Sequence, residues 1–318
     1  MTLGEIYQFV VKEGINADPR GKEFVQKGLA RAKKIYQKLG KDAQKEFDKE
    51  SLTNPYSDTR VLFGDQKQKV KTIMLGIDIG PAELLLADRL NQGKKKIDLV
   101  ISHHPNGRAL AALAEVMEVQ TDILKNMGIP INVAESLMAE RIAEVNRRVM
   151  PSNHARTVDA ARILDLAYMC CHTPSDNHVA SYLQRLMDRE KADTLGDVLD
   201  ILKSIPEYRH AAAEKAGPKI IAGEEKRRAG KIFVDMTGGT EGSKDIFQKL
   251  AQAGIGTIVA MHLSEEHFKK VKAEHINVVI AGHIASDTLG MNLLLDKLQK
   301  RQSLDILECS GFKRVKRK

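Results

Sequence analysis

Short apolar runs alternate with amphipathic segments from about residue 70 to the end of the chain. The runs predict strands at 72–77, 97–102, 131–134, 167–171, 232–235, 257–261 and 278–281, and an edge strand at 304–307. Apolar residues recur at helical spacing between these runs, at 82–90, 109–126, 139–149, 179–187, 195–202, 245–253 and 265–273. Strands that alternate with helices are typical of a mostly parallel sheet covered on both faces. The sequence therefore predicts an α/β fold.

One strand–helix–strand pattern occurs twice. Residues 71–75 match residues 256–260, and the strand that leads to His103 matches the strand that leads to His283. Such a match indicates an internal duplication, although short strands rich in valine and isoleucine also resemble each other by chance. We predict two related α/β lobes, at about 66–190 and 191–318, each with a mixed, mostly parallel sheet flanked by helices.

Residues 1–65 have no counterpart in this repeat. Thr2 and Glu5 have the spacing of a capping box, and Asp18-Pro19 is typical of a second helix start. Segment 51–65 contains Asn54-Pro55 and Gly64-Asp65, which indicate a linker or a short hairpin. We therefore predict a helical N-terminal extension and linker over 1–65.

Composition describes a globular protein long enough for two lobes. Of the 318 residues, 42% are hydrophobic and 29% are charged. No apolar run is long enough to cross a bilayer, and the first twelve residues lack the pattern of a signal peptide. Cys170 and Cys171 are adjacent and Cys309 is distant, so no disulfide framework is indicated. We expect a cytoplasmic protein without a membrane partner.

The net charge of +8 raises the question of a nucleic-acid partner. Part of the excess lies in the basic tail at 312–318. The chain has no tryptophan and only 4% aromatic residues, so it offers few surfaces on which bases could stack. We expect a solvated basic tail and no nucleic-acid partner.

Two adjacent histidines, His103 and His104, end the predicted strand at 97–102. Ligands in α/β proteins bind at the carboxyl ends of strands. Pro105 makes the chain leave the strand, so that both imidazoles could face one cavity and each could hold a different ion of a two-metal site. The duplicated strand brings His283 to an equivalent end. The alternative is a pair of histidines in a surface loop.

Carboxylates accompany the other candidate histidines. Asp176 follows His172 and could supply a hard oxygen ligand, or it could cap the next helix. Asp287 lies four residues after His283, so the two share one helix face and could reach the same ion. Alternatively, Asp287 interacts with the helix dipole. His172 could be a ligand or a residue that orients one.

Two further features could bind an anionic group. The loop from Gly238 to Ser243 precedes a predicted helix, so its N–H groups could hold a phosphate. However, it matches neither the dinucleotide fingerprint nor the P-loop, and a tight turn is the simpler interpretation. Arg108 could bind an anionic group of a substrate. Its alternative is an exposed arginine at a helix start.

Three segments resemble the NIF-three-like family, whose members are described as GTP cyclohydrolase 1 type 2 homologues. Ser102-His103-His104-Pro105 is similar to the family's His-His-Pro motif. His172-Thr173-Pro174-Ser175-Asp176 resembles its His-Thr-Asn-x-Asp segment, and Gly282-His283-x-x-x-Asp287 resembles its Gly-His-x-x-x-Glu segment. The similarity extends from about residue 70 to the end of the chain.

The resemblance implies a dinuclear metal centre and a toroidal homo-oligomer, such as a hexamer built as a trimer of dimers. The implied ligands are His103, His104, Asp176, His283 and a bridging Asp287. Two departures stand out. Asp287 replaces the family's glutamate and is one methylene shorter, which affects bridging. Residues 106–108 replace the apolar residues usual after His-His-Pro, which indicates a different substrate pocket.

Together these features predict a hydrolase of the GTP cyclohydrolase 1 type 2-like kind that depends on two divalent ions per chain. The expected substrate is a small molecule with a nucleotide-like ring or a phosphate ester. His172 is the expected proton-transfer residue, and Arg108 is expected to bind substrate. Nitrogen and oxygen ligands suit Zn, Fe or Mn. The alternative is a non-catalytic metal-binding regulatory or interaction protein, but a ligand set without thiolates favours catalysis.

Overall fold

A computed structural model describes residues 1–93 and 95–317. The strands of this part of the chain are β1 Arg60–Phe63, β2 Thr72–Gly76, β3 Leu99–Ser102, β4 Tyr168–Cys170, β5 Lys219–Ala222, β6 Lys231–Asp235, β7 Ile255–Ala260, β8 Asn277–Ile280 and β9 Asp305–Cys309. The helices are α1 Leu3–Asn16, α2 Lys22–Lys38, α3 Lys41–Glu46, α4 Pro81–Asn91, α5 Gly107–Ala111, α6 Leu113–Val116, α7 Glu118–Asn126, α8 Ile131–Val149, α9 Arg156–Ile163, α10 Thr173–Glu190, α11 Leu195–Ser204, α12 Pro206–Ala213, α13 Phe247–Gln252, α14 Glu265–Ala273 and α15 His283–Gln299. Short 3₁₀ helices lie at Lys49–Leu52 and Lys244–Ile246. In the described part of the chain, no helix is both long and apolar enough to span a bilayer.

The strands form two mixed, mostly parallel sheets, which confirms the predicted fold class. The first sheet has the order β1-β4-β3-β2-β9, and the second has the order β5-β8-β7-β6. In the first sheet only β1 runs antiparallel to its neighbour, and in the second only β5 does so. Helices cover both sheets, so the apolar runs of the central strands are buried.

The strand order of the first sheet repeats in the second. The order β1-β4-β3-β2 matches β5-β8-β7-β6, and the antiparallel pairs slip register at the same place, before Phe63 and before Ala222. The repeat is therefore present, but its predicted alignment is wrong by one strand. Residues 71–75 lie in β2, whose counterpart is β6 and not β7. The apolar residues of β2 resemble those of both β6 and β7, but position in the sheet, and not local composition, defines which strands are equivalent.

The sheets do not divide the chain at the predicted lobe limits of 66–190 and 191–318. β9, near the end of the chain, pairs with β2 in the first sheet, and β1, in the predicted linker, pairs with β4. Conversely, α7 and α8 pack on the second sheet, where Leu124 and Met138 share a core with Phe233 and Ile258. The chain therefore crosses between the two sheets more than once.

The strand predicted at 131–134 is wrong, because these residues form the first turn of α8. The alternation of apolar and polar residues in Ile-Asn-Val-Ala imitates a strand over four positions. The longer pattern decides otherwise, since Ala134, Met138 and Val145 are the buried positions and recur at helical spacing.

Helix α1 is part of the first core and not an appended element. Its predicted capping box is present, with the Thr2 N–H donating to Glu5 (2.7 Å) and the Glu5 N–H donating to Thr2 (3.2 Å). Leu3 and Ile6 are buried in the same cluster as strand residues of the first sheet. Most of α2 is exposed instead, so it fits the predicted extension better.

The basic tail is partly docked on the fold, so the prediction of a solvated tail holds for its exposed lysines but not for its arginines. Phe312 is buried. The Arg314 guanidinium donates to Asp296 at 2.5 Å, and that of Arg317 donates to Glu207 at 2.6 Å. Two of the four described basic side chains of the tail are therefore paired with carboxylates of this chain, whereas Lys313 and Lys316 are exposed.

Candidate metal centre

The predicted ligands come together at one edge of the two sheets. His103 and His104 follow β3, and Asp176 lies in the first turn of α10 after β4. His283 and Asp287 lie in the first turns of α15, which follows β8. Because parallel strands end at the same sheet edge, each chain segment delivers its polar residues to one place. The cluster contains His103, His104, His172, Asp176, His283 and Asp287.

Asp287 lies at the middle of this cluster. Its Oδ1 is 3.4 Å from Nε2 of His103, while its Oδ2 is 3.5 Å from Nε2 of His104 and 3.6 Å from Nε2 of His283. The two carboxylate oxygens therefore face different histidines. The aspartate side chain, although one methylene shorter than the glutamate of the family motif, therefore reaches histidines on two sides.

Asp176 and His172 complete the side of the cluster nearest to His103. Asp176 Oδ1 lies 3.4 Å from Nε2 of His103, and Asp176 Oδ2 lies 3.7 Å from Nε2 of His172. Two donors that each lie about 2.1 Å from one ion at a tetrahedral angle are about 3.4 Å apart. The observed separations are therefore close to those of ligands that share an ion.

Several atoms of the cluster are buried without a hydrogen-bond partner in the described chain. They are Nε2 of His103, Oδ1 of Asp176 and both carboxylate oxygens of Asp287. Unpaired buried polar atoms are destabilising and therefore rare, and a cation would pair all four. Three sets have candidate ligand atoms within 4.8 Å of one another: His103, His104 and His172; His104, His283 and Asp287; and His103, Asp176 and Asp287. These buried groups could hold a metal ion.

Each of three imidazoles is oriented by a hydrogen bond from its Nδ1. His103 donates to the carbonyl oxygen of Cys171 at 3.1 Å. His104 donates to Asp78 at 2.7 Å, and His172 donates to Asp58 at 2.9 Å. In each ring Nε2 is left to face the cluster, which is how outer hydrogen bonds usually fix a metal-binding histidine.

Asp58 and Asp78 were not among the site residues predicted from the sequence. Asp78 comes two residues after β2, and Asp58 comes two residues before β1, which runs antiparallel to its neighbour. Both positions therefore reach the sheet edge where His103 and His104 lie. A carboxylate next to a strand end could have indicated both residues. For Asp58 this indication depends on recognising residues 60–63 as a strand, which the sequence prediction placed in a linker.

Burial and neighbouring charges shift the pKa values of the cluster, and they leave His103 and Asp287 in the protonation state of a metal ligand but favour the protonated forms of His104, His172 and Asp176. Burial lowers the pKa of His103 to about 4, so the ring is neutral at physiological pH, as a ligand must be. Burial opposes ionisation of Asp287, but His103 and His104 hold the pKa of its carboxyl well below the usual range. Burial raises the pKa of Asp176 to about 8. A divalent ion would reverse that shift by favouring the carboxylate.

A cavity of about 330 Å³ leads from the cluster to the second sheet. His104, His172 and His283 line the end near the cluster, and apolar side chains such as Phe247 and Leu250 line the other end. His262 lies on its wall, with its ring 4.9 Å from that of His283. By sheet register His262 is the counterpart of His104, since both come two residues after paired strand positions.

Arg108 lies outside this cavity. Its guanidinium donates to the Glu50 carboxylate at 3.0 Å and to the carbonyl oxygen of Val61 at 3.3 Å. These contacts hold it to the segment before and within β1, beside the first sheet. Its role in substrate binding stays a prediction that no contact near the cluster supports.

The loop from Gly238 to Ser243 does line the cavity, but its groups are arranged as in a tight turn. Gln120 donates its side-chain amide to the carbonyl oxygens of Gly238 (2.7 Å) and Thr240 (2.6 Å). Gly238 has φ of 96°, and a Cβ there would lie 2.5 Å from Cγ of Gln120. The loop therefore needs glycine for its conformation and for close packing against α7.

Comparisons with known proteins agree with the three motifs. A NIF3 superfamily protein from Sphaerobacter thermophilus is 28% identical, with a TM-score of 0.70 over 80% of this chain and 92% of that chain. Reduced HcgD from Methanocaldococcus jannaschii shares the fold at 15% identity, with a TM-score of 0.53 over 84% of this chain and 94% of that chain. No family model matches the chain, and no curated protein matches it. The resemblance to the NIF-three-like family that the motifs indicated is thereby confirmed.

Proposed function

We propose that this protein is a hydrolase that depends on two divalent metal ions. The proposed ligands are His103, His104, Asp176, His283 and Asp287. The observation that carries the proposal is the position of Asp287, whose two oxygens lie 3.4–3.6 Å from histidines on opposite sides while both lack a hydrogen-bond partner in the described chain. Asp287 is accordingly assigned as the shared ligand.

Two such ions would lower the pKa of a bound water, so that hydroxide could form near neutral pH, and they would polarise the bond that is attacked. The other proposed ligands lie on two sides of Asp287. His103 and Asp176 lie on one side, and His104 and His283 lie on the other. Nitrogen and oxygen donors without thiolate suit Zn, Fe or Mn. The proposed substrate is a small molecule with a nucleotide-like ring or a phosphate ester, as in the GTP cyclohydrolase 1 type 2-like description, and it would enter through the cavity.

His172 is the proposed proton-transfer residue. Nδ1 of His172 donates to Oδ2 of Asp58 at 2.9 Å, so Nε2 is the atom that can accept or release a proton on the cavity side. Asp58 and Asp176 together raise the pKa of His172 to about 9, although burial alone would lower it. The same geometry would let His172 act as a further metal ligand. Substitution would remove turnover alone if His172 transfers a proton, and would also remove metal if it is a ligand.

Metal analysis of purified protein tests the proposal. We expect about two divalent ions per chain, and a sharp fall in His103→Ala and in Asp287→Ala. His210→Ala and Asp200→Ala are matched controls, since both side chains are exposed and outside the cavity. Metal content that does not change in His103→Ala would contradict the site.

Turnover separates the two function classes. A panel of nucleosides, nucleotides and phosphate esters is assayed with and without chelator. We expect the protein to hydrolyse at least one member, and we expect chelator to abolish that hydrolysis. Full metal content without turnover of any member would favour the non-catalytic metal-binding protein instead. In His172→Gln, lost turnover with retained metal supports proton transfer, whereas lost metal makes His172 a ligand.

The assembly is also proposed from the resemblance. We propose a homo-oligomer, and large apolar side chains that remain exposed on helices support it, among them Leu85 and Leu86 of α4 and Ile284 of α15. Light scattering coupled to size exclusion measures the mass directly. A monomer at micromolar concentration would contradict this proposal without affecting the metal site.

A further inference from the structure

The cavity beside the cluster has an apolar far end. Phe233, Phe247 and Leu250 come from the second sheet and its helices, and Leu124 and Met138 come from α7 and α8. Apolar walls with a few convergent polar groups are typical of sites for small organic molecules. The volume of about 330 Å³ is at the small end of such sites.

Carboxylates lie between this apolar end and the metal cluster. Glu241 accepts a hydrogen bond from the Ser264 N–H at 2.6 Å, and its Oε1 lies 3.3 Å from Nδ1 of His262. Burial would raise the pKa of Glu241, but these partners and His267 lower it to about 2, so the carboxylate is ionised. Asp235 is a second carboxylate on the cavity wall.

Arginine and lysine, the side chains that most often bind phosphate, are missing from the described walls of this cavity. Among the described residues that line the cavity, none is an arginine or a lysine. Phosphate sites normally combine such residues with free N–H groups of a helix start. Here the loop after β6 instead brings the Glu241 carboxylate into the cavity. The cationic groups on the described walls are imidazoles, and those of His262 and His172 are already paired with the carboxylates of Glu241 and Asp58. A phosphorylated substrate body would therefore meet wall carboxylates without an arginine or a lysine to offset them.

We infer that the cavity accepts a substrate whose body is uncharged or cationic and largely apolar, with a hydrogen-bond donor that faces Glu241, and that it discriminates against phosphorylated molecules, including nucleoside triphosphates. The inference rests on the proposed function only in placing the reacting group at the metal centre. Of the two proposed substrate classes, it selects a ring without phosphate.

Matched hydroxamates test the inference on metal-loaded protein. Benzohydroxamates anchor to a divalent ion through the hydroxamate, and a para substituent would then project along the cavity. The substituents are methyl (neutral), aminomethyl (cationic) and phosphonomethyl (anionic). At pH 8 we expect calorimetric Kd values at least about tenfold lower for the first two than for the phosphonate, which corresponds to about 1.4 kcal/mol.

Substitution of the carboxylates locates the effect. Glu241→Gln alone, and together with Asp235→Asn, should narrow the difference between the neutral and anionic hydroxamates. Glu224→Gln with Asp200→Asn is the matched control, because both residues are exposed and outside the cavity walls. Equal or tighter binding of the phosphonate would overturn the inference. So would protein that retains its metal but binds none of the three hydroxamates.

A second pair of probes keeps the inference testable if the protein retains no metal, which would contradict the proposed function alone. N-phenyl-1-naphthylamine and 8-anilino-1-naphthalenesulfonate share one aromatic amine body and differ by a sulfonate. Fluorescence titration of metal-free protein should show tighter binding of the uncharged probe, with a smaller difference in Glu241→Gln. Tighter binding of the sulfonate, or binding of neither probe, would overturn the inference.

Discussion

Asp58 is a single side chain outside the metal cluster that fixes the geometry inside it. Its Oδ2 accepts hydrogen bonds from Nδ1 of His172 (2.9 Å) and from the Thr173 hydroxyl (2.6 Å). The carboxylate is completely buried, and these two donors hold the pKa of Asp58 below its usual range although burial alone would raise it. Asp58 thus orients both an imidazole of the cluster and the first residue of α10.

The Asp58→Asn variant tests this orientation. An asparagine amide oxygen in the Oδ2 position could still accept both hydrogen bonds, but without the charge that strengthens them. We therefore expect turnover to fall about 10–100-fold and the free energy of unfolding to fall by about 1–3 kcal/mol. Steady-state kinetics and urea titration measure the two effects. Asp42→Asn, on the exposed helix α3, is the control and should change neither. Wild-type turnover in Asp58→Asn would contradict the role.

Glu241 should contribute a part of the stability that depends on pH. Burial opposes its ionisation, yet His262, His267 and the Ser264 N–H lower its pKa from 4.5 to about 2. The folded-state pKa lies below the unfolded one, so the ionised carboxylate stabilises the fold above pH 4.5. That stabilisation is lost as the pH falls through about 2.

Glu241→Gln cannot ionise, so it should be less stable than wild type at pH 6 and should approach wild-type stability near pH 2.5. Urea titrations at both values measure the difference in the free energy of unfolding. The exposed Glu224→Gln serves as the control and should follow wild type at both. A deficit of Glu241→Gln that is equal at the two pH values would show that the charge makes no contribution.

At the scale of elements, the contact between α10 and α15 sets the distance between the two candidate carboxylates. A Cβ on Gly290 of α15 would lie 2.5 Å from the backbone oxygen of Ser175 and 2.6 Å from its hydroxyl. Ser175 precedes Asp176 on α10, and Gly290 lies within one turn of Asp287 on α15. Only glycine at this crossing lets the two helices come close enough for both carboxylates to reach His103.

Gly290→Ala should therefore separate the helices. Overpacking would lower the free energy of unfolding by about 1–3 kcal/mol, against a gain of about 0.5–1 kcal/mol in helix propensity. We also expect a higher metal Kd by calorimetry, because Asp176 and Asp287 would move apart. Gly28→Ala on α2 is the matched control, since a Cβ there meets nothing within 4 Å and only the propensity gain remains. Equal effects of the two substitutions would contradict the close contact.

Local patterns in the sequence were sufficient to predict the strands that lead to the metal cluster. The run before His103 is a parallel strand buried on both faces, so its apolar residues and its polar end are visible within a few positions. The strand prediction for residues 131–134 was wrong because an alternating pattern over only four residues is also compatible with the first turn of a helix. Asp58 was missed because its bond to His172 spans 114 residues, and no local pattern records such a contact.

The whole molecule shows a further limit of sequence patterns. β9 joins the first sheet from the far end of the chain, and α8 packs on the second sheet from the middle of it. Both placements depend on which apolar surface remains open after the nearer elements have packed. The predicted division into successive lobes therefore identified two sheets correctly but not the chain segments that build them.

Because the cluster draws on both sheets, bound metal should tie them together. His103 and His104 follow a strand of the first sheet, and His283 and Asp287 follow a strand of the second. An ion that binds only the folded arrangement stabilises it by about 2.7 kcal/mol at a hundred times its Kd. Chelator should therefore lower the Tm of the wild-type protein, and replacing the metal should restore it.

The Asp287→Ala variant distinguishes this coupling from a general effect of chelator. It lacks the carboxylate that faces His103 through one oxygen and His104 and His283 through the other. We therefore expect little change in its Tm on chelation, measured by differential scanning calorimetry. Asp200→Ala keeps the cluster intact and should respond as the wild type does. If Asp287→Ala lost as much Tm on chelation as wild type, the stabilising ions would lie elsewhere, and the two sheets would be held together by side-chain packing alone.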